Sequence, residues 1–371
     1  MEICLKNGIK PKGTVKLPPS KSEAIRAALL LALAGEDPRR AVEGYEPPFC
    51  GDIECALSAF REDVPFVGGS AALLRMLLPV LLVKNGSAEI RTERRLAERG
   101  VGELENCLGI RAEIRGETLK MRGFPDRTRF RIDCSRSSQF LSGLLIALPL
   151  IGRECEIEII NGLVSKPYAD MTLHFVRLFG GRAEETANGY VTMPSRYRAP
   201  DFIPVTGDES YAAVFRAMNL LGGDIIIEGS SENTLQPDRA FDRLAGLSVC
   251  DIADRPDLMP LLAVTACGRN GDTVIRSTAR LRTKESDRES GIVRLIRDLG
   301  GSAEVGENSV TVHGTGKLKG GIADPGNDHR LAFAAAVAAV ISEGPVTVLG
   351  AECVCKSAPG FWDDIKVLGI R

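Results

Sequence analysis

The sequence lacks the features that mark membrane, metal-binding and disulfide-bonded proteins. No apolar run approaches the roughly 18 uncharged residues that a membrane-spanning helix needs, and the first ten residues, MEICLKNGIK, do not resemble a signal peptide. The three histidines and ten cysteines are scattered without a C-x-x-C pair, so a zinc or iron site is not expected. We therefore expect reduced thiols in a cytoplasmic protein without a cofactor.

A strong charge of either sign is also missing, and aromatic residues are few. The formal net charge is −2 and aromatic residues make up 5% of the chain, so neither a global field nor a stacking surface favours nucleic acid. Binding of an anion must therefore come from local clusters of basic residues. Hydrophobic residues at 44% and charged residues at 26% are typical of a globular protein, and 371 residues favour two domains.

One helical unit recurs six times along the chain. Each copy begins with a small polar or acidic residue that can cap a helix, and it continues as about four turns rich in alanine and leucine. The first residues of the copies are Ser20, Ser70, Ser137, Asp208, Asp257 and Asp328. Most copies then reach a glycine-containing turn and an alternating strand, and a second helix in several copies ends in the same way, as in LGIRAEI, FGGRAEE and LGGSAEV.

These repeats predict an α/β fold in which the helices are buried. The six capped helices are apolar nearly all round, so sheets must cover them. We expect a two-domain inside-out α/β barrel with six βαβαββ-type repeats, three per domain. One repeat is shortened, since only REDVPFVGG (61–69) stands where other connections are longer, and a strand pair is missing there. The expected domains are 1–18 plus 208–371 and 20–206, with hinges near 19 and 207.

Basic residues lie beside many of these helix starts. Parallel buried helices would place their positive amino ends on one surface of each domain, and two such surfaces would form a cleft suited to anions. The basic residues concerned include Lys21, Arg26, Arg75, Arg95, Lys166, Arg282, Lys284, Arg288, Arg330 and Lys356. For any one of them the alternative is a solvated surface charge, and Asp257 and Asp328 can be simple helix caps. Glu285 is either an ion-pair partner or a proton-transfer group.

Seven motifs in order along the chain resemble the 5-enolpyruvylshikimate-3-phosphate synthase family of enolpyruvyl transferases. They are SKSEAIR, DCSRSSQF, VSKPY, PDLMP, RTKESDR, NDHR and CKSAPGF, between residues 20 and 361. The resemblance implies two domains of three repeats each, with buried parallel helices. It also implies transfer of the enolpyruvyl group of phosphoenolpyruvate to the 5-hydroxyl of shikimate 3-phosphate, with release of phosphate, in aromatic amino acid biosynthesis. Both substrates are small molecules, and a monomer without nucleic acid or membrane partners is expected.

The resemblance further implies two overlapping sets of binding residues. The first set would bind shikimate 3-phosphate: Lys21, Ser22, Arg26, Ser137, Ser138, Gln139, Ser165, Tyr168, Asp257, Arg280 and Lys284. The second set would bind phosphoenolpyruvate: Lys21, Ala71, Arg95, Gln139, Arg288, Arg330 and Lys356. The implied catalytic residues are Asp257, which would deprotonate the accepting hydroxyl, Glu285, which would protonate the methylene carbon, and Lys21 and Lys356.

The sequence departs from the family pattern at three positions. Ala71 stands where the family has glycine, and Ala72 where it has threonine, in the turn GGSAALLR (68–75). A methyl group at Ala71 would press on the phosphoenolpyruvate pocket, so weaker binding of the longer inhibitor glyphosate is expected. Arg280 stands where the family has asparagine, which would change a contact to shikimate 3-phosphate.

Two other functions remain open at this point. A related enzyme that transfers enolpyruvyl to UDP-N-acetylglucosamine should carry a Lys-Asn pair in the first motif and a cysteine near RRLAER. Here that pair is Lys21-Ser22, and no cysteine lies between Cys55 and Cys107. A non-catalytic or low-activity anion-binding relative is the other alternative, which the alanines at 71 and 72 and the shortened repeat favour.

Overall fold

The chain folds into two compact units. The structure is a computed structural model that describes residues 1–284 and 286–371. Unit 1 comprises Met1–Pro18, Pro47–Cys50 and Thr206–Arg371, and unit 2 comprises Pro19–Glu46 and Gly51–Val205. The short segment Pro47–Cys50 thus groups with unit 1, although it lies inside the range 20–206 that was expected to form the other domain.

Helices account for much of both units. Within the described ranges the α-helices are α1 Lys21–Ala34, α2 Gly51–Ser58, α3 Ala71–Asn85, α4 Arg94–Arg99, α5 Gly102–Leu108, α6 Gln139–Ala147, α7 Lys166–Leu178, α8 Glu209–Leu220, α9 Phe241–Ala245, α10 Met259–Cys267, α11 Arg288–Asp298, α12 His329–Val340 and α13 Phe361–Val367. Short 3₁₀-helices cover Pro38–Val42, Leu148–Ile151, Pro237–Ala240, Pro256–Leu258, Ala279–Thr283 and Ala351–Lys356.

The strands are short, and two of them, β1 and β2, precede the first helix. They are β1 Ile3–Leu5, β2 Lys12–Lys16, β3 Ser87–Arg91, β4 Glu113–Arg115, β5 Thr118–Arg122, β6 Arg129–Cys134, β7 Cys155–Leu163, β8 Arg182–Thr186, β9 Gly189–Met193, β10 Asp224–Glu228, β11 Val249–Asp251, β12 Asn270–Arg276, β13 Ser302–Val305, β14 Ser309–Thr315, β15 Gly321–Ala323 and β16 Val346–Val348.

The apolar helices are buried, as the sequence predicts. In unit 2 these are α1, α3 and α6, and in unit 1 they are α8, α10 and α12. Every residue of α12 is buried, and so are the residues from Phe140 to Ala147 of α6. A helix that is apolar all round gains from burial on every side, which explains why these helices lie inside and the polar α7 and α11 bury one face only. Closure of the sheets into a barrel stays a prediction.

Four of the six predicted helix caps are present. Side chains of Ser20, Ser70, Asp208 and Asp328 each accept a hydrogen bond from a backbone N–H in the first turn of the helix that follows. The expectation was wrong for Asp257, because Pro256–Leu258 forms a 3₁₀-helix and α10 begins only at Met259. The third helix of the series, α6, begins after Ser138, one residue later than expected.

The described residues of unit 1 form three sheets. Their strand orders are β1-β16-β15, β10-β2 and β11-β12-β14-β13. The amino-terminal strands join unit 1 through β1, which pairs antiparallel with β16, and β2, which pairs parallel with β10. Pairing of neighbours far apart in sequence explains why the first 18 residues belong with the carboxyl-terminal half of the chain.

Unit 2 contains two sheets in its described residues. Their orders are β3-β5-β4, which is antiparallel throughout, and β6-β7-β9-β8, in which β6 and β7 are parallel. No strand lies between α2 and α3 in the described chain, where Phe66 forms only an isolated bridge with Arg91. This agrees with the shortening predicted for residues 61–69.

The recurring glycine turns have the backbone geometry that requires glycine. In FGGRAEE and LGGSAEV the first glycines, Gly180 and Gly300, have φ values of 79° and 80°, and strands β8 and β13 follow directly.

None of the helices in the two described ranges is both long enough and apolar enough to span a bilayer.

Candidate active site

Lys21 is the first residue of α1 in unit 2. Its Nζ lies 3.2 Å from Oδ2 of Asp52, a buried carboxylate on α2. The cap residue Ser20 accepts a hydrogen bond from the backbone N–H of Glu23 at 3.4 Å. The ion pair thus holds the ammonium group at a helix start, where backbone N–H groups and the helix dipole favour an anion.

Arg26 lies one turn further along α1 and is bound to protein groups. The side chain is 3% exposed. Its Nε donates to Thr172 Oγ1 at 2.7 Å, its Nη1 to the carbonyl of Ser22 at 2.7 Å, and its Nη2 to the carbonyl of Tyr168 at 3.0 Å and to Ser142 Oγ at 3.4 Å. Burial lowers the pKa of Arg26 to about 10. Three of these four hydrogen bonds join α1 to α6 and α7, the fourth stays within α1, and the implied contact with shikimate 3-phosphate stays a prediction.

Three serines predicted to bind phosphate lie on two connected turns. Ser137 and Ser138 precede α6, and Ser165, with a φ of 55°, precedes α7. Ser138 Oγ donates to the carbonyl of Ser165 at 3.2 Å, and Ser137 Oγ accepts from the backbone N–H of Gln139 at 3.3 Å. The starts of α6 and α7 therefore lie side by side, and Tyr168 lies in the first turn of α7.

Arg75 on α3 fixes the orientation of Gln139. Its Nη1 donates to Gln139 Oε1 at 2.9 Å, and its guanidinium carbon lies 5.3 Å from the centre of the Phe140 ring. Because a guanidinium can only donate, the amide oxygen of Gln139 must face Arg75. This contact places the first turns of α3 and α6 together.

Ala71 and Arg95 follow two loop segments that are hydrogen-bonded to each other. Ala71 is the first residue of α3, directly after the cap Ser70. The carbonyl of Gly68 accepts from Thr92 Oγ1 at 2.7 Å and from the N–H that precedes α4 at 2.9 Å. Arg95 lies exposed in α4, and the segment before α4 is thus hydrogen-bonded to the turn that leads into Ala71.

Arg288 and Asp328 form a buried bidentate ion pair in unit 1. Arg288 is 1% exposed at the start of α11, and Asp328 is fully buried at the start of α12. Nε and Nη2 of Arg288 donate to the two carboxylate oxygens of Asp328 at 2.9 and 3.3 Å. Asp328 also accepts from the backbone N–H of Arg330 at 2.9 Å and from Ser286 Oγ at 2.9 Å. One carboxylate therefore holds two predicted phosphoenolpyruvate ligands in place.

Asp257 lies among three basic side chains. Its Oδ1 accepts from Arg288 Nη1 at 2.8 Å and lies 4.0 Å from Lys284 Nζ, and its Oδ2 accepts from Arg330 Nη2 at 3.4 Å. The side chain is 29% exposed, whereas those of Arg288 and Arg330 are almost completely buried. The sequence predicted all four residues, and the structure brings them together.

Asp238 is a buried carboxylic acid that the sequence analysis missed. It lies in the 3₁₀-helix Pro237–Ala240, is 1% exposed and accepts a hydrogen bond from Ser210 Oγ. Burial and the negative charge of Asp257 raise its pKa to about 6, although Arg330 opposes the shift. Burial disfavours the charge on Arg330, but Asp257 and Asp238 outweigh this effect and raise its pKa. The pattern QPDR around Asp238 carries no periodic or motif signal in one sequence.

Arg280 supports the backbone that carries Asp257. Its Nη2 donates to the carbonyl of Ala253 and lies 3.5 Å from that of Ile252, shortly before the 3₁₀-helix Pro256–Leu258. The contact with shikimate 3-phosphate that the resemblance implies for Arg280 stays a prediction. Lys356 ends the 3₁₀-helix Ala351–Lys356 and is partly buried. The predicted proton donor Glu285 lies outside the described residues.

Comparison with known proteins identifies the family. A family model described as EPSP synthase (3-phosphoshikimate 1-carboxyvinyltransferase) matches residues 59–246 and 242–365. A relative from Clostridium kluyveri named 3-phosphoshikimate 1-carboxyvinyltransferase is 30% identical, with 98% of this chain and 96% of that protein covered. A relative of the same name from Methanocorpusculum labreanum is also 30% identical, with 96% of each chain covered.

Solved structures show the same fold. An EPSP synthase from Acinetobacter baumannii superposes with a TM-score of 0.78 at 20% identity, covering 100% of this chain and 98% of that one. The enolpyruvyl transferase NikO from Streptomyces tendae gives a TM-score of 0.74 at 15% identity, with the same coverage. Each superposition covers essentially the whole of both chains, so the two-domain α/β architecture is shared. With a family model covering most of its length and relatives at 30% identity, this chain belongs to the EPSP synthase family.

Proposed function

We propose that this chain transfers the enolpyruvyl group of phosphoenolpyruvate to the 5-hydroxyl of shikimate 3-phosphate and releases inorganic phosphate. The observation that carries the proposal is the position of Asp257 among Lys284, Arg288 and Arg330. The reaction needs a carboxylate to accept the proton of the hydroxyl and fixed cations to balance the phosphate and carboxylate of phosphoenolpyruvate. The relatives named for this activity, similar over nearly the whole chain, support the same assignment.

In unit 2 the geometry suits the phosphate of shikimate 3-phosphate. Ser137, Ser138 and Ser165 lie on two adjacent turns at the starts of α6 and α7, and the backbone N–H groups of a helix start favour an anion. Lys21 adds a positive charge at the start of α1, and Gln139 has its amide oriented by Arg75. Neutral donors and one ammonium group suit a phosphate monoester, which carries several acceptor oxygens.

In unit 1 the arginines are held rigidly before any ligand enters. Arg288 is fixed by both oxygens of Asp328, and Arg330 lies two residues along α12 from the same carboxylate. Fixed guanidinium groups need not reorganise when an anion binds, so more of their electrostatic stabilisation is available to the reaction. The other proposed phosphoenolpyruvate ligands are Lys21, Ala71, Arg95, Gln139 and Lys356.

The proposed chemistry is an addition followed by an elimination. A proton from Glu285, with Lys356 assisting, adds to the methylene carbon of phosphoenolpyruvate and makes the neighbouring carbon electrophilic. The 5-hydroxyl oxygen bonds to that carbon while its proton passes to Asp257. The methyl group then returns a proton to Glu285, the carbon–oxygen bond to phosphate breaks, and the proton on Asp257 passes to the departing phosphate, so that the enol ether and inorganic phosphate leave and both carboxyl groups regain their starting states. Atoms and charge balance, and no redox group is required.

The test is phosphate release from shikimate 3-phosphate plus phosphoenolpyruvate. Asp257→Ala and Lys21→Ala should each lower kcat by roughly 10²-fold or more, the range for loss of a general base or a charge at the reacting centre. Asp224→Ala and Lys12→Ala are matched controls, because these residues form an exposed ion pair on strands β10 and β2. The controls should keep wild-type rates.

Three outcomes would contradict the proposal in different ways. Binding of both substrates without phosphate release would indicate a non-catalytic relative, which the alanines at 71 and 72 favour. Turnover with UDP-N-acetylglucosamine as acceptor would assign the sister activity. Unchanged rates in Asp257→Ala would remove the proposed base.

We further propose that the enzyme acts as a cytoplasmic monomer without nucleic-acid partners. Size-exclusion chromatography of the purified chain can test the oligomeric state.

A further inference from the structure

An irregular pair of strands precedes the two serine turns in unit 2. Strands β6 and β7 run in parallel register as far as Asp133, which is opposite Ile160. Cys134 is then opposite Leu163, so Asn161 and Gly162 form a bulge in β7. Both bulge residues have left-handed backbones, with φ values of 59° and 88°. For asparagine this conformation is uncommon and needs local support.

The side chain of Asp133 supplies that support. Its Oδ2 accepts from Asn161 Nδ2 at 2.7 Å. Its Oδ1 accepts from the backbone N–H of Ser135 at 2.8 Å and from Ser135 Oγ at 2.6 Å. These bonds lower the pKa of Asp133, so the group is a carboxylate at neutral pH. One side chain therefore fixes the bulge in β7 and the beginning of the turn that leads into α6.

The same two segments carry the proposed phosphate ligands. Ser137 and Ser138 follow Ser135 by two and three residues, and Ser165 follows the bulge by three. The segments are joined twice more, by the N–H of Val164 to the carbonyl of Cys134 at 3.2 Å and by Ser138 Oγ to the carbonyl of Ser165 at 3.2 Å. Any loosening of the bonds to Asp133 would thus change the relative position of the serine hydroxyl groups.

We propose that Asp133, acting through Ser135 and Asn161, is a positioning residue that sets the affinity of the serine turns for the phosphate of shikimate 3-phosphate. The inference rests on the proposed function, since it takes the serine turns as the phosphate site. Neither Asp133 nor Asn161 belongs to the binding residues that the resemblance implies. Their role is to hold the geometry of groups that touch the ligand.

The negative charge of Asp133 would weaken phosphate binding, whereas its hydrogen bonds would favour it, and a pair of variants can separate the two effects. A carboxylate near a phosphate weakens binding by repulsion, and the exposed Arg136 offsets this only in part. Asp133→Ala removes the charge and all three bonds. Asp133→Asn removes the charge alone, because the amide oxygen can accept from Ser135 and the amide nitrogen can donate to Asn161 once that side chain rotates. Positioning therefore predicts weaker binding by Asp133→Ala and little change in Asp133→Asn, whereas an effect of charge alone predicts tighter binding by both variants.

The experiment measures the Kd of shikimate 3-phosphate by titration calorimetry, together with steady-state KM and kcat. Asp133→Ala should raise the Kd about tenfold, equivalent to the loss of one to two net hydrogen bonds. Asp133→Asn should stay within about twofold of wild type. Asn161→Gly, which suits a φ of 59° and loses one bond, should raise the Kd about threefold without loss of stability. The KM of phosphoenolpyruvate should stay unchanged throughout.

The matched control is Asp126→Ala. The carboxylate of Asp126 pairs with Arg153 on the surface of the same unit and is 92% exposed. Equal Kd values for wild type and Asp133→Ala would overturn the inference, and so would equal losses in Asp133→Ala and Asp133→Asn. If Asp133→Ala fails to fold, an unchanged Kd in the folded Asn161→Gly variant would overturn it instead. A wild-type protein that does not bind shikimate 3-phosphate would overturn the proposed function, and the inference with it.

Discussion

Replacement of Asp238 by asparagine should change how the stability of unit 1 depends on pH. The pKa of an aspartic acid is ordinarily 3.8, and burial raises that of Asp238 to about 6. Each pKa unit corresponds to about 1.4 kcal/mol of differential stabilisation, so the rise in pKa from 3.8 to about 6 corresponds to about 3 kcal/mol. Asparagine has the same shape, keeps the oxygen that accepts from Ser210 and does not titrate in this range.

The sign follows from where the proton is bound more tightly. Between pH 4 and 6 the folded protein holds the proton on Asp238, whereas the unfolded chain has released it. The stability that this proton contributes is fully present below about pH 4 and is lost as pH rises through 6. The free energy of unfolding of wild type minus that of Asp238→Asn should therefore fall by about 3 kcal/mol from pH 4 to pH 7.

The single tryptophan of the chain provides the assay. Trp362 lies in α13 of unit 1, is 5% exposed and donates to the carbonyl of Ala351 at 2.7 Å. Its fluorescence during urea unfolding therefore reports on unit 1, and the two proteins can be compared at each pH. Asp242→Asn is the control, since its carboxylate is 46% exposed and pairs with Arg216. A difference between wild type and Asp238→Asn that stays constant across the range would refute a buried, protonated Asp238.

Two further predictions concern unit 2. Ala71→Gly should lower the inhibition constant of glyphosate more than about tenfold, because one methyl group in a fitted pocket discriminates on that scale; Ala72→Gly is the control, and equal inhibition constants for wild type and Ala71→Gly would contradict the prediction. Arg26→Met should lower the free energy of unfolding of unit 2 by about 3 kcal/mol, since four buried or partly buried acceptors lose a charged donor. Scanning calorimetry can measure this loss. The control is Arg129→Met, because Arg129 is 85% exposed in an ion pair with Glu156. A loss of stability in Arg26→Met as small as that in the control would contradict the prediction.

Most local signals in the sequence predicted the structure correctly, whereas pairings between distant segments could not be predicted from it. The start and burial of α12 follow from Asp328 and an apolar run, both of which are local. The partners of Arg26 could not be predicted, because Thr172 lies 146 residues away and nothing in either segment marks the contact. The start of α10 was misplaced because Pro256 allows a 3₁₀-helix after which the α-helix begins at Met259.

The number of arginines in a site does not by itself determine how strongly the site attracts anions. The balance between the arginines and the carboxylates near them determines that attraction. In unit 1 the cations Lys284, Arg288 and Arg330 are opposed by the carboxylates of Asp257 and Asp328. A protonated Asp238 leaves this cluster with a positive excess, whereas an ionised Asp238 cancels it. Because linkage is reciprocal, an anion bound to these arginines must favour the protonated form of Asp238. The buried acid that sequence motifs overlook thus helps to set the charge that phosphoenolpyruvate would meet.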